Sequence, residues 1–131
     1  MDDLIAAARR AAGMAYAPYS RFPVGAAVRG GSGRVYAGCN VEKASYGLTV
    51  CAERNAVFQA VAAGETRVEA VAVYTPTASP TAPCGACRQV IAEFGPRARV
   101  LCACDGPDRI EATLDMLLPE GFGPHHLDTG P

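Results

Sequence analysis

The chain has 131 residues, of which 50% are hydrophobic and 19% are charged, and its formal net charge is −1. This length fits a single domain, residues 1–131, with a packed core. The near-neutral charge gives no electrostatic footprint for a nucleic-acid backbone or an anionic membrane, which argues against a polymer-binding protein. No apolar run is long enough to span a bilayer, and the first residues are acidic where a secretory signal would be basic. We therefore expect a cytoplasmic protein whose six cysteines stay reduced, as ligands, reactive thiols or small core residues.

The first half of the chain predicts a helix, a hairpin and a second helix. Acidic residues 2 and 3 precede strong helix formers and predict the start of a first helix. Pro18 predicts that this helix ends near residues 15–17. Residues 24–29 and 34–39 flank a Gly-Gly-Ser-Gly turn and predict an antiparallel hairpin. Residues 49–63 predict a second helix with Gly64 as its C-cap. The stripe of alanines in this helix allows close approach of a core element or of a second subunit; it comprises Ala52, Ala56 and Ala60.

The second half alternates between strands and helices. Residues 68–74 are rich in valine and predict a buried strand, and residues 85–94 predict a third helix that stops at Gly95-Pro96. Residues 99–104 and 109–113 predict two more strands, residues 114–118 a short helix, and the tail from Pro119 to Pro131 an irregular segment. This order favours a three-layer α/β/α fold with a mixed sheet of about five strands.

A zinc site is indicated by residues 50–54 (Val-Cys-Ala-Glu-Arg) and 83–88 (Pro-Cys-Gly-Ala-Cys-Arg), each at the start of a predicted helix. Cys84 and Cys87 form a Cys-x-x-Cys pair, and Cys51 can supply a third sulfur to the same tetrahedral ion. Helix N-termini stabilise the thiolates that zinc requires. Three ligands leave one position open for water, as in catalytic rather than structural zinc sites. Glu53 follows Cys51 by two residues and can move protons beside the metal without binding it.

The same residues have simpler interpretations. The three cysteines could be buried core thiols, or a closed structural zinc site could take a fourth ligand from Cys39, Cys102 or Cys104. We expect these last three to be small residues in or next to strands. His125 and His126 lie in the Gly/Pro-rich tail and are given no role, and no histidine is available near Cys51.

The combination of Cys51-Ala52-Glu53 with Pro83-Cys84-Gly85-Ala86-Cys87 resembles the motif of zinc-dependent cytidine deaminases in its all-cysteine form. Residues 18–27 (Pro-Tyr-Ser-Arg-Phe-Pro-Val-Gly-Ala-Ala), 38–42 (Gly-Cys-Asn-Val-Glu), 84–95, 117–119 and 122–124 extend the similarity to nearly the whole chain. The chain therefore looks like a small homotetrameric cytidine deaminase. The resemblance implies the cytidine-deaminase-like fold, one Zn²⁺ per subunit, and hydrolysis of cytidine, and of deoxycytidine, to uridine or deoxyuridine and ammonia in pyrimidine salvage.

The resemblance also implies a nucleoside site, carried over residue by residue. Asn40 and Glu42 match partners of the ribose hydroxyls, and Phe22 matches an aromatic that packs on the pyrimidine. The backbone of Ala52 is expected to touch the base, and Arg54 to hydrogen-bond the ligand sulfurs and offset their negative charge. Phe122, Ala44 and Tyr46 match residues that a neighbouring subunit contributes. Two departures from the family pattern, Lys43 and Asn55, bear on substrate scope.

Without the resemblance, these residues would be interpreted more simply: the polar pair as turn or surface residues, the aromatics as core, and Arg54 as a solvated helix residue.

Three other functions are alternatives to hydrolysis of cytidine. A deaminase of another cytosine-bearing molecule, such as a nucleoside antibiotic, is disfavoured by Asn40, Glu42 and Phe122. A structural zinc module that binds RNA or a protein lacks basic clusters and an obvious fourth ligand. A polynucleotide deaminase would need an insertion that grips a strand, and none is evident.

Overall fold

A computed structural model describes residues 1–127, which form one five-stranded sheet with helices on both faces. The helices are α1 (Asp2–Ala12), α2 (Ala52–Ala62), α3 (Gly85–Phe94) and α4 (Leu114–Leu117). The strands are β1 (Gly25–Gly30), β2 (Val35–Cys39), β3 (Val68–Tyr74), β4 (Arg99–Ala103) and β5 (Ile110–Thr113). Short 3-10 helices cover Tyr46–Leu48 and Pro124–His126. The predicted three-layer α/β/α fold with a mixed five-stranded sheet is confirmed.

The strand order is β2-β1-β3-β4-β5, and the connections explain the strand directions. The tight turn between β1 and β2 makes that pair antiparallel, whereas α3 crosses over between β3 and β4 and makes them parallel. The β1–β3 and β4–β5 pairs are antiparallel. Because β3 is central and has helices on both faces, its side chains are buried on both sides, which explains its valine-rich sequence.

The two faces of the sheet bury different side chains. Alanines dominate the face that α1 covers, with Leu4 and Ile5 of α1 packed on them. Valines dominate the opposite face, which α2 and α3 cover. Ile91 of α3 and Leu114 of α4 belong to the same core cluster. The alternation follows from the two-residue repeat of a strand, which sends successive side chains to opposite faces. The helix face that carries the candidate site is therefore supported by the larger of the two core clusters.

The first helix ends earlier than its sequence predicts. The expected end near residues 15–17 is wrong, because α1 stops at Ala12 and Gly13 is its C-cap. Tyr16 instead pairs with the chain beyond β2: its N–H donates to the carbonyl of Asn40 at 3.0 Å, and its carbonyl accepts the N–H of Glu42 at 2.8 Å. Tertiary pairing outweighs the helix propensity of this alanine-rich segment.

The second helix begins later than predicted for a similar reason. Thr49 and Val50 are extended, because Val50 pairs with Val41 through two backbone hydrogen bonds of 3.0 and 3.1 Å. Cys51 is thus the N-cap of α2, and Ala63 rather than Gly64 is its C-cap. Gly64 follows in the left-handed region at φ 101°, a conformation that glycine adopts without steric cost.

The remaining boundaries differ from the predictions by at most one residue at either end. The third strand and the third helix have the predicted bounds, and the hairpin strands start one residue later than expected. The tail from Pro119 contains the 3-10 helix Pro124–His126, and its last four residues, 128–131, lie outside the described part of the chain. Among the helices of residues 1–127, none combines the length and apolar composition needed to cross a membrane.

Candidate active site

Three thiols from two helix starts meet at one point. Cys51 is the N-cap of α2, Cys84 is the N-cap of α3, and Cys87 lies in the first turn of α3. The three sulfur atoms all lie within 4.8 Å of one another, with Sγ–Sγ distances of 3.9 Å from Cys51 to Cys84 and 3.5 Å from Cys84 to Cys87. Tetrahedral zinc with Zn–S bonds of 2.3 Å requires sulfurs about 3.8 Å apart. The spacing of the thiols therefore fits a zinc ion.

The charge environment of the thiols also suits a cation. The hydrogen bond from the Cys87 thiol, followed by one from Arg54, lowers the pKa of Cys51 to about 5. The same contact with Cys51, together with burial, raises the pKa of Cys87. Neighbouring thiolates oppose each other's ionisation, so all three sulfurs ionise together only when a cation joins them. No other cluster of three metal-ligating side chains occurs among residues 1–127.

Glu53 lies in the first turn of α2, and its side chain is only 5% exposed. Burial is the main reason that its pKa is raised to about 7, and the charge of Cys51 adds to this effect. A carboxyl group with a pKa near 7 can both accept and release a proton at neutral pH, which is the property of an efficient general acid–base. The fold therefore places a buried carboxyl group of raised pKa close enough to Cys51 for its charge to be felt.

Arg54 directs its guanidinium group at the thiols, which is the contact that the resemblance implies. Its Nη2 donates to the sulfur of Cys51 at 3.4 Å, and it also lies against Cys87. Its Nε is buried and has no hydrogen-bond partner. A positive charge held beside three thiolates offsets part of their negative charge.

The position of α2 depends on the alanine stripe and on Gly38 of β2. Ala52, Ala56 and Ala60 are completely buried within the chain. Of the two partners expected for this stripe, it therefore packs on a core element and not on a second subunit. A Cβ atom at Gly38 would lie 2.5 Å from the backbone nitrogen of Ala56. The edge strand therefore lies against the backbone of the helix that carries Cys51 and Glu53.

The two polar residues after β2 hold the segment 19–24. Asn40 accepts the N–H of Val24 at 2.9 Å and donates through Nδ2 to the carbonyl of Phe22 at 2.9 Å. Glu42 accepts the N–H groups of Tyr19 and Ser20 at 3.0 and 3.1 Å, and also the Ser20 hydroxyl. Both side chains are about nine-tenths buried. The resemblance implies that Asn40 and Glu42 bind the ribose hydroxyls. The sequence did not reveal that the two side chains hold the segment 19–24 by hydrogen bonds.

A cavity of about 400 Å³ adjoins Glu42. Its lining comes from two segments, and the residues are Tyr19, Ser20, Glu42, Tyr46 and Thr49. The thiol cysteines are not part of this lining. The three aromatic side chains expected at the site are exposed: Tyr46, which lines this cavity, by 74%, Phe22 by 38% and Phe122 by 56%. Phe122 lines a different cavity, beside α3 and α4. Ala44 is exposed as well, whereas Ala52 is completely buried.

Comparison with known proteins agrees with this geometry. Residues 1–104 match the family model described as "Cytidine and deoxycytidylate deaminase zinc-binding region". The chain is 46% identical over 129 residues to a cytidine deaminase of Sporosarcina psychrophila, covering 97% of this chain and 94% of that protein. It is 50% identical over 109 residues to one of Halalkalibacterium halodurans, covering 82% and 83% of the two chains.

A crystal structure of cytidine deaminase from Burkholderia pseudomallei superposes with a TM-score of 0.88 at 49% identity, covering 92% of this chain and 98% of that one. The chain belongs to the cytidine deaminase family. Its match to the family's zinc-binding region and the spacing of its three thiols agree on the nature of the metal site.

Of the two departures from the expected cytidine deaminase pattern, Asn55 has a hydrogen-bond partner for its side chain, whereas Lys43 has one only for its backbone. Asn55 donates through Nδ2 to the carbonyl of Cys39 at 2.8 Å, which ties α2 to the end of β2. Lys43 is exposed, and its backbone N–H donates to Thr49 Oγ1 at 3.1 Å. Neither side chain contacts the thiols. Of the other cysteines, Cys102 and Cys104 are buried and Cys39 is half-buried, and none joins the thiol cluster.

Sequence reasoning missed the residues that link α3 of this cytidine deaminase family member to the C-terminal segment. Arg88 donates through Nε to the carbonyl of Pro83 and through Nη1 to that of Leu117, both at 2.8 Å. Gln89 donates to the carbonyl of Phe122. The ring of His126 stacks on Phe122, with centroids 5.1 Å apart and an interplanar angle of 16°. The position of Arg88 directly after Cys87 was the one available signal.

Proposed function

We propose that this chain is a zinc-dependent cytidine deaminase that hydrolyses cytidine, and also deoxycytidine, to the corresponding uracil nucleoside and ammonia. The single observation that carries the proposal is the meeting of three thiols with a buried glutamate at the start of α2. The identities of 46% and 50% to cytidine deaminases over most of the chain support the same activity. Salvage of pyrimidine nucleosides is the cellular role that this reaction would serve.

Cys51, Cys84 and Cys87 would hold one zinc ion per subunit. When bound, zinc supplies a Lewis acid and lowers the pKa of water to near neutrality. Arg54 would offset the charge of the three thiolates, because its guanidinium lies 3.4 Å from the nearest sulfur.

Glu53 would carry the protons of the reaction. Its carboxylate accepts a proton from the water that attacks C4 of the pyrimidine and delivers it to N3. A second proton passes through the same group to the departing amine, so that cytidine and water become uridine and ammonia. Burial supports this role, because it raises the pKa of Glu53 to about 7 and keeps competing water away from the carboxyl group.

The substrate would lie between the thiols and the segment 19–24. Asn40 and Glu42 would bind the ribose hydroxyls, since an amide and a carboxylate both accept from hydroxyl groups. Phe22 would pack on the pyrimidine, and the backbone of Ala52 would contact the base. The buried, hydrogen-bonded state of the two polar side chains supports this assignment, because it fixes their orientation before the substrate arrives.

We further propose a homotetramer in which subunits share their active sites. Phe122, Ala44 and Tyr46 would enter a neighbour's site, and the large exposed surfaces of the two aromatic rings support a role between subunits. The net charge of −1 disfavours nucleic acid as a partner. Six free cysteines support a reducing compartment, the cytoplasm.

The test compares the wild type with Glu53→Gln on cytidine, followed by the ultraviolet absorbance change on conversion to uridine. Loss of a general acid–base should lower kcat by roughly 10²–10⁴-fold while the zinc content, measured in parallel, stays the same. Glu93→Gln is the matched control, because Glu93 is an exposed glutamate on α3.

Three outcomes would contradict the proposal at different levels. Equal activity of wild type and Glu53→Gln would remove Glu53 as the proton carrier but keep the reaction. No activity of the zinc-replete wild type on either cytidine or deoxycytidine would remove the reaction itself. Turnover of a cytosine-bearing antibiotic instead would reassign the substrate.

A further inference from the structure

Ser20 lies at the centre of a small hydrogen-bond network at the rim of the 400 Å³ cavity. Its backbone N–H donates to Oε1 of Glu42 at 3.1 Å, and its hydroxyl donates to Oε2 of the same carboxylate. The hydroxyl oxygen also accepts the backbone N–H of Phe22 at 3.1 Å. One short side chain therefore touches both Glu42 and the backbone of Phe22.

The residue between them has an uncommon backbone conformation. Arg21 has φ 58°, in the left-handed region that non-glycine residues seldom adopt. Its N–H donates to the carbonyl of Ala17 at 2.9 Å. On either side of this left-handed residue, Ser20 faces Glu42 and Phe22 lies next to Asn40, which donates to the carbonyl of Phe22. The hydrogen bonds on either side stabilise a conformation that arginine alone would disfavour.

We propose that Ser20 is a positioning residue that couples the carboxylate of Glu42 to the ring of Phe22. The inference rests on the proposed function, in which Glu42 binds the ribose and Phe22 packs on the pyrimidine. Ser20 touches neither the base nor the metal site in this scheme. It sets the distance between the group that holds the sugar and the group that holds the base.

The number of hydrogen-bond donors around Glu42 explains why the Ser20 hydroxyl should affect substrate binding. A carboxylate offers about four lone-pair sites. Tyr19 and Ser20 supply three protein donors, two to Oε1 and one to Oε2, and their hydrogen bonds hold the pKa of Glu42 below its ordinary value. About one site is then left for a ribose hydroxyl. Without the Ser20 hydroxyl, Oε1 keeps its two N–H donors but Oε2 loses its donor and can take up water, so the substrate must displace that water and order Oε2 itself.

The chain contains a second copy of the same arrangement, which provides a matched control. Ser32 in the β1–β2 turn donates its N–H to Glu65 Oε1 at 3.3 Å and its hydroxyl to Oε2 of that residue. Its hydroxyl oxygen accepts the N–H of Arg34 at 3.2 Å. Ser32 is exposed like Ser20, but it lies at the hairpin turn and is not part of the proposed site. Ser32→Ala therefore measures what loss of such a hydroxyl does to folding alone.

The experiment measures kcat/KM for cytidine in Ser20→Ala, Ser20→Thr, Ser32→Ala, Glu42→Gln and the double variant Ser20→Ala/Glu42→Gln. Ser20→Ala should lower kcat/KM roughly tenfold, the lower range for a hydrogen bond to a charged group. Ser20→Thr keeps the hydroxyl and should stay within about threefold of the wild type. Ser32→Ala should match the thermal stability of Ser20→Ala and keep wild-type kcat/KM. In the Glu42→Gln background, Ser20→Ala should cost less than about twofold, because the two residues act as one unit.

Two results would overturn the coupling while leaving the proposed function intact. One is a Ser20→Ala variant that behaves like Ser32→Ala in kcat/KM. The other is full additivity of the Ser20 and Glu42 substitutions. A Glu42→Gln variant with wild-type kcat/KM would overturn the proposed ribose contact instead, and with it the role of Ser20.

Discussion

Gly38 is the point at which the edge strand β2 meets the first turns of α2, and a methyl group there should disturb the metal-binding end of the site. A Cβ at this position would lie 2.5 Å from Ala56 N and 2.9 Å from Ala52 O. Ordinary van der Waals contact begins at 3.4 Å. Both obstacles are backbone atoms, which cannot rotate away as a side chain can, so the helix must move as a body by about 0.9 Å.

That movement would act on catalysis because Cys51 and Glu53 flank Ala52, whereas Cys84 and Cys87 belong to α3 and would stay in place. A misplacement of about 1 Å between reacting groups typically costs on the order of 10²-fold in rate. Overpacking should also lower the free energy of unfolding by about 1–3 kcal/mol. Gly38→Ala is therefore expected to lose both stability and kcat/KM on cytidine.

The control is Gly95→Ala, which overpacks in the same way at the far end of α3. Its Cβ would lie 2.4 Å from the carbonyl oxygen of Val68. Gly95 lies eight positions after Cys87, which corresponds to about 12 Å along a helix. Urea denaturation measures stability, and kcat/KM is expressed per folded, zinc-loaded molecule. If the two variants lose similar stability and keep the same kcat/KM, the structural link from Gly38 to the site is refuted.

Two further predictions concern the surroundings of the thiols. Arg54→Gln should retain one zinc per chain but lower kcat roughly 10–100-fold, because the thiolate charge is no longer offset; metal analysis with steady-state kinetics checks this, and a wild-type kcat would contradict it. Cys102→Ala should lower the free energy of unfolding by roughly 1 kcal/mol, since Cys102 is buried in the core. It should leave the zinc content unchanged, because burial raises the pKa of the Cys102 thiol to about 12 and so disfavours the thiolate. Loss of zinc from this variant would instead make Cys102 a fourth ligand.

The sequence predicted those elements best whose structure depends on their own residues. The bounds of β3 and α3 were predicted to the residue, because a valine-rich run and a helix followed by Gly-Pro are local signals. The predicted C-terminal end of α1 and the predicted start of α2 were wrong, because residues 16 and 50 pair with residues 40–42. Gly13 was a local signal for the end of α1, but nothing in the sequence around residues 16 and 50 indicates their partners, so a local pattern could not predict this pairing.

The candidate site likewise contains residues that the local sequence could predict and residues that it could not. The thiols and Glu53 could be predicted because each ligand set lies within a few residues of a helix start. The contacts of Ser20 and Arg88 could not, since the partners of these side chains lie 22 and 29 residues away along the chain. Their contacts become visible only when the fold brings β2, α3 and α4 together.

The backbone pairing of Val41 with Val50 explains why the two ends of the proposed substrate site keep a fixed separation. Glu42 follows Val41 directly, and Cys51 follows Val50 directly, so the proposed sugar-binding group and the proposed metal ligand extend from one pair of hydrogen bonds. Backbone hydrogen bonds between extended segments hold neighbouring chains at about 4.7–4.9 Å, with little freedom to adjust. The distance from the ribose end to the reacting end would thus be set by main-chain geometry and not by flexible side chains. A substrate with a longer or shorter link between its sugar and its base would then lose one set of contacts when it makes the other.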